Sequence, residues 1–287
     1  MSEATGVIHD IGYQRYAGPR LGRRYVFTSL YVHGLRTAFG LGRSAKAKIF
    51  PWFVLGVVFL TGAILAAVRA QVPDAAVGYT AFADMMAWLV IFFVAIVAPE
   101  LVSRDLRAGV LPLYFSRPLR RGDYAYAKLA ALATAVWLLL GAPQILMFLV
   151  AAFSADGMSE VWTEVGDIVP GLLYALLWAA VFAGIGLLVA SLTGKRAFAA
   201  GGIVAVFLMT TPIVGVLSVM PSQAMNELAL LFSPSSLVFG VGVWLFDSGG
   251  GTDDIGPFGP VYLAVAIGVV AGCVALLLAR YRKVASS

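Results

Sequence analysis

Charged side chains that could make specific contacts are concentrated in one polar stretch, Glu100–Lys128, which separates two long apolar runs. Glu100 stands four residues before Arg104, the favourable order for an ion pair on a helix. The three carboxylates of the stretch lie among many arginines, without the clustered acids and histidines of a membrane-embedded enzyme. Its chemistry is therefore ion pairing and docking. Its basic residues are Arg104, Arg107, Arg117, Arg120, Arg121 and Lys128.

The first half of this stretch is amphipathic when it is read as a helix. Pro112 and Pro118 then make a longer continuous helix unfavourable. The pattern predicts a helix over 101–111, a turn and a return into the next apolar run. The alternative interpretation is a solvated loop with membrane-proximal arginines. The apolar side of the helix carries Val102, Leu106, Gly109 and Val110, and the polar side carries Glu100, Ser103, Arg104 and Arg107.

Other patterns that could bind a cofactor or a metal fail on spacing. The segment Thr193-Gly194-Lys195-Arg196 is the nearest approach to a phosphate-binding loop, but Val189 replaces the required glycine and Arg196 replaces Ser or Thr. His9 and His33 have no acidic or cysteine partner at metal-ligand spacing, and Cys273 is the one cysteine. We expect no catalytic residue, no bound cofactor and no metal on this chain.

Composition restricts the class of protein further. Hydrophobic residues make up 61% of the chain and charged residues 12%, with a mean hydropathy of +0.91. These values exclude an ordinary soluble domain. The net charge of +5 does not indicate nucleic-acid binding, because the basic residues flank apolar runs. The expected environment of the apolar runs is a lipid bilayer, which is the partner predicted for them.

The elements that position the polar stretch are transmembrane helices. A helix needs about 20 mostly apolar residues to span a bilayer. The fold class predicted is an all-α polytopic membrane protein with a cytoplasmic N-terminal segment over 1–50 and a six-helix domain over 51–287. The predicted spans are 51–69, 79–99, 128–153, 169–192, 197–220 and 260–279.

Loop charge predicts the orientation of these spans. All basic residues except Arg69 lie in 1–50, 100–128, 195–196 or the tail after 279, while acids dominate 154–168 and 221–259. Positive charge is retained on the cytoplasmic side of a membrane, so both termini are predicted to be cytoplasmic. The multi-pass topology fits a bacterial inner membrane.

Two segments outside the spans have recognisable patterns. Phe27, Leu30, Tyr31, Leu35 and Ala38 share one helical face before the first span, which predicts an amphipathic helix at the inner membrane surface. A docking surface for another protein is the alternative. In 221–259, the apolar runs 227–232 and 237–246 are too short to cross a membrane, which predicts re-entrant or interfacial helices before the last span.

The polar stretch resembles the corresponding segment of the type-2 ABC permeases, the membrane subunits of export-type ATP-binding-cassette transporters. The chain has Val110, Pro112 and Ala127 where the family pattern has Thr, Leu and Gly. The similarity covers about thirty residues, and the span layout extends it to the whole chain. The matching segments are Ser103-Arg104-Asp105, Gly109-Val110-Leu111, Ser116-Arg117-Pro118-Leu119-Arg120-Arg121 and Lys128-Leu129.

The resemblance implies that 101–111 is a coupling helix seated in a groove of a separate ATPase, which binds the ATP. Six spans are half of a pathway in this family, so a homodimer or a pair with a related permease is expected. Asp84, the ionisable residue within the spans, either reaches water or a polar neighbour near the outer mouth or contacts the cargo in the substrate path. Pro212, at a predicted kink after Thr210 and Thr211, is either a static kink or a flexing gate of that path. The coupling residues implied are Glu100, Arg104, Asp105, Arg107 and Gly109.

Three alternatives stay open. A non-transporting scaffold or assembly subunit of an ABC complex would use the same fold. A lipid-modifying membrane enzyme would need acids or histidines clustered near an interface. An ion-coupled carrier would need ionisable residues deep in its spans, where only Asp84 is available.

Overall fold

The computed structural model describes residues 21–71, 77–109, 119–246 and 255–284, together with Gly18 and Tyr114. Every regular element within these residues is a helix, as the predicted fold class requires. Ala229–Phe232 and Gly256–Phe258 are short 3-10 helices. The α-helices are α1 (Arg23–Ala38), α2 (Ala45–Gln71), α3 (Tyr79–Met85), α4 (Ala87–Leu101), α5 (Ser103–Arg107), α6 (Arg121–Ser154), α7 (Met158–Ser191), α8 (Arg196–Met209), α9 (Thr211–Leu217), α10 (Gln223–Leu228), α11 (Pro234–Phe246) and α12 (Gly259–Val284).

Six of the described helices or helix pairs are long and apolar enough to cross a membrane, the number predicted. Several begin before the apolar run that marks them; α2 begins at Ala45 and α7 at Met158, because polar residues continue the helix beyond its apolar part. The spans that contain α4 and α7 are the most enclosed: 61% of the most apolar stretch of each is buried inside the protein. In the span formed by α8 and α9, the corresponding share is 17%. The centre of the bundle is therefore α7, which packs against α3, α4, α6, α8 and α12.

Close packing at this centre depends on Gly186 of α7. A Cβ atom at that position would lie 2.3 Å from Cγ1 of Val94 in α4. Without a side chain, the two helices approach closely enough for their neighbouring residues to pack at the density of a protein interior.

The two ends of the bundle differ in charge. The basic end holds α1, α5, the first turns of α6 and α8 and the last turns of α7 and α12. Hydrogen bonds connect the helices at this end: Arg196 donates to the Glu100 carboxylate, and Arg280 donates to the Ser191 carbonyl. The acidic end holds the end of α2 and the start of α3 and α7. Among the described residues, Arg69 is the one basic side chain at the acidic end.

Helix α1 departs from its predicted environment. Its apolar face, with Leu30 and Ala38 buried, packs on α6 and α4 instead of facing lipid alone. Gly34 permits this contact, because a Cβ there would lie 2.8 Å from Cβ of Ala131. The Tyr31 hydroxyl also contacts Thr134 at 3.1 Å. An amphipathic helix has the same sequence pattern whether its apolar face lies on the membrane or on other helices of the protein, so the sequence could not distinguish these two environments.

The fifth span is broken at the predicted place. Helix α8 ends at Met209 and α9 begins at Thr211, with Pro212 in its first turn. The Thr210 hydroxyl donates to the Val206 carbonyl at 2.8 Å, and the Thr211 hydroxyl donates to the Phe207 carbonyl at 3.2 Å. These hydroxyls occupy carbonyls at the break, as the sequence predicted.

The segment before the last span forms a bent pair of helices. Gln223–Phe232 and Pro234–Phe246 meet at 118°. Both arms pack at the start of the last span: the Tyr262 hydroxyl donates to the Glu227 carbonyl, and Trp244 lies against Gly259. The pair is therefore bent sharply beside the start of α12, a geometry that a re-entrant hairpin and a broken span share.

Gly256 fixes this hairpin to the start of α12. It has a φ of +52°, and a Cβ atom there would lie 2.5 Å from Oε2 of the buried Glu227. We expect Gly256→Ala to lower the free energy of unfolding by about 1–3 kcal/mol, since it adds both backbone strain and a clash. Thermal unfolding in detergent measures the effect. Gly42→Ala is the matched control, because Gly42 has a φ of +77° but no atom within 4 Å of its Cβ position. Equal losses in both variants would show that the Glu227 contact contributes nothing.

Candidate docking site at the basic end

The polar stretch begins with a short helix, α5, that follows directly on α4, so that the segment Ala87–Arg107 contains both helices. Val102 interrupts the helix with φ −125° and ψ −51°, so α5 begins only at Ser103. Gly109 has a φ of +62°, the left-handed conformation that ends helices, and its N–H contacts the Leu106 carbonyl. The helix is therefore shorter than the predicted 101–111, and positions 110–113 lie outside the described residues.

One side of α5 is exposed at the basic end. Arg104, Arg107, Ala108 and Gly109 are all exposed to solvent. The opposite side is buried, with Val102 fully enclosed and Leu106 packed against the main core. Arg104 and Arg107 form no ion pair within 4.0 Å among the described residues, so both guanidinium groups are available to a polar partner surface.

Asp105, which the resemblance assigns to coupling, makes its polar contacts with the interior of the protein. Its Oδ2 atom lies 2.8 Å from Nζ of Lys128 and accepts a hydrogen bond from the Tyr124 hydroxyl at 2.8 Å. Lys128 and Tyr124 are both buried members of α6. The Lys128 ammonium also lies 5.4 Å from the centre of the Tyr124 ring. Asp105 therefore joins α5 to the third span.

A second contact joins α5 to the fourth span. The hydroxyl of Ser103, which is fully buried, donates to the Ala190 carbonyl at 2.8 Å. The turn after α7 lies beside α5 as well, with the Cβ position of Gly194 about 3.7 Å from Arg107. The base of α5 is thus held by the helices on both sides of it, and its outer edge is free.

Glu100 forms a different ion pair from the one predicted. Its carboxylate lies 2.5 Å from Arg196 at the start of α8 and makes an ionic contact of 2.6 Å with Arg43, just before α2. The expected pair with Arg104 does not form, since the Glu100 carboxylate contacts Arg196 and Arg43 instead. Glu100 therefore connects three elements of the chain itself.

No family model and no curated protein matches the sequence. The interpretation of this site consequently depends on its geometry and on the motif resemblance. Among the residues that the structure describes, no group of three or more His, Cys, Asp or Glu side chains is placed to hold a metal ion.

Asp84 lies near the acidic end, at the end of α3. The Tyr174 hydroxyl of α7 donates to its Oδ1 atom at 2.5 Å, while Oδ2 is buried without a hydrogen-bond partner. The ring of Tyr174 packs against Phe246 at 5.8 Å and Trp178 at 6.3 Å. Asp84 is thus hydrogen-bonded to the fourth span, whereas Pro212 lies in α9 of the fifth span.

A second polar cluster, at the acidic end, was hardly visible in the sequence. Arg69 pairs with Glu164, which also accepts a hydrogen bond from the Tyr79 hydroxyl at 2.8 Å. Arg69 borders two cavities of about 210 and 380 Å³, with Ser154 and Glu160 in the first and Phe246 and Asp167 in the second. The isolation of Arg69 among acids was visible in the sequence, but the identity of its partner was not.

Proposed function

We propose that this chain is the membrane-spanning subunit of an export-type ABC transporter, working with a separate ATPase. One observation carries the proposal. At the basic end of a six-helix bundle, the short helix between the second and third spans is anchored at its base and presents Arg104 and Arg107 outward. A surface of this kind suits a partner that pushes on the membrane domain from one side.

The proposed orientation places the basic end in the cytoplasm of a bacterial cell. All the described basic side chains except Arg69 lie at that end, and positive loops are retained on the cytoplasmic side. Both described ends of the chain, α1 and the last turn of α12, are then cytoplasmic, and the α10–α11 hairpin faces outward. An ATPase that uses cytoplasmic ATP would meet α5 directly.

In the proposed mechanism, the ATPase binds and hydrolyses ATP, and this chain makes and breaks no covalent bond. Closure of two ATPases displaces α5, and the bundle responds by rigid-body movement. A second permease, either another copy or a related chain, completes the pathway. Asp84 and the helix break at Pro212 are the proposed contacts of the transported molecule.

Pull-down of the tagged chain from its native membrane tests the proposal. We expect an ATPase to be recovered with it, and we expect the complex to hydrolyse ATP while the purified chain alone does not. In a control, the tag is attached through a neutral linker to the α10–α11 hairpin, away from the basic end. Recovery of the ATPase with either tag would show that the tag does not block the basic end. Recovery of the intact chain without any ATPase under mild detergent conditions would contradict the proposal.

A further inference from the structure

Within the five residues of α5, some side chains face outward and others face the spans. Arg104 and Arg107 are exposed, whereas Asp105 is turned inward and is 16% exposed in its side chain. Its partner Lys128 is 4% exposed in its side chain. Contact with a partner and connection to the spans are therefore made by different residues of the same helix.

We propose that Asp105 and Lys128 form a transmission pair, which positions α5 on α6 so that displacement of α5 by a partner is passed to the third span. This inference rests on the proposed function, because it requires a partner that pushes on α5. Asp105 and Lys128 are positioning residues here, since neither touches the partner or the transported molecule.

Burial makes this connection stronger than the others at the base of α5. A buried ammonium that loses its carboxylate is left uncompensated in a medium of low dielectric constant, so separating Asp105 from Lys128 is costly. The bond from Ser103 to the Ala190 carbonyl joins neutral groups and is weaker. The Asp105–Lys128 pair therefore ties α5 to α6, in addition to the direct continuation of α4 into α5 and the packing of α5 on α7 and α8.

Helix α6 is suited to carry such a movement across the bundle. It extends over 34 residues, from Arg121 to Ser154, with Pro143 inside it, a length of about 50 Å. Its last residue, Ser154, lines the smaller cavity beside Arg69 at the acidic end. The helix therefore links the surface that holds α5 to the cavity at the opposite end.

The test uses the chain together with its recovered ATPase in lipid nanodiscs. The double variant D105N/K128M removes both charges, so it leaves no buried charge unpaired and is expected to fold. A fluorophore on Phe153→Cys, a position 89% exposed near the end of α6, reports movement in a Cys273→Ala background that has no other cysteine. The ATPase is trapped with ATP and vanadate, which produces the displacement of α5.

We expect the double variant to retain the ATPase as well as the parent does, but to lose about fivefold or more of the nucleotide-dependent fluorescence change. Ser103→Ala, which removes the bond from α5 to α7, is the matched control and is expected to keep most of the change. The exchanged pair D105K/K128D restores opposite charges and is expected to recover the signal, which a simple loss of stability would not do.

A full fluorescence change in the double variant would overturn the inference. Loss of the ATPase from the double variant would overturn it too, because the pair would then belong to the docking surface. In both cases the parent chain still holds its ATPase, so the proposed function stands. Failure of the parent chain to hold any ATPase would remove the proposed function and this inference together.

Discussion

Reversal of the two exposed charges on α5, in the variant R104E/R107E, is expected to detach the proposed ATPase from the chain. Neither guanidinium group pairs within the described part of the protein, so the substitutions leave the fold unchanged. Two carboxylates placed opposite a surface that accepts arginines produce like-charge repulsion in addition to the lost contacts. We expect recovery of the ATPase to fall by at least about tenfold, which corresponds to about 1.4 kcal/mol.

The matched control is R24E/R36E. Arg24 and Arg36 are also exposed arginines at the basic end, but they lie on α1. This pair makes the same change in net charge away from α5 and is expected to leave recovery of the ATPase nearly unchanged. Equal losses in both double variants would indicate general electrostatic attraction to the basic end, and would contradict docking on α5.

Replacement of Gly186 by leucine is expected to prevent accumulation of folded protein. Even the first carbon of the new side chain would lie 2.3 Å from Val94, between the two most enclosed spans. Overpacking of this kind costs about 1–3 kcal/mol for small additions and more for a branched side chain, against a total stability of about 5–15 kcal/mol. Size-exclusion chromatography of the detergent-solubilised protein measures the folded fraction.

Gly268→Leu provides the control for this substitution. Gly268 lies on α12 with no atom within 4 Å of its Cβ position, so the same change meets no obstacle in the chain itself. Both variants gain the same helix propensity, and the difference between them isolates packing. A folded, monodisperse Gly186→Leu protein would show that α4 and α7 are not in contact as described. Loss of a larger complex in Gly268→Leu, without unfolding, would place a second permease on this face.

The number of long helices followed from the sequence because the length of an apolar run has a direct physical meaning in a bilayer. The break at Pro212 followed from the missing N–H of proline and the two hydroxyls before it. The bent pair before the last span followed from two apolar runs that are too short to cross. Each of these features depends on residues that are close together in the chain.

Contacts between distant residues were not readable in the same way. Asp105 and Lys128 are both polar residues next to an apolar run, and nothing in their spacing shows that they meet across a turn. A lysine that is buried requires an acidic partner, so a lysine at the start of an apolar run is a signal that could have predicted a carboxylate beside Lys128. The break at Val102 was also hidden, because a valine between two helical segments has no special pattern. The pairing of Glu100 with Arg43 and Arg196 likewise joins residues that are far apart in the sequence.

The position of Arg69 has a consequence for the packing of the acidic end. Its side chain lines two cavities there and pairs with Glu164. Because this pair joins the end of α2 to the start of α7, removal of either charge would leave the other without its partner and would loosen the walls of both cavities at once.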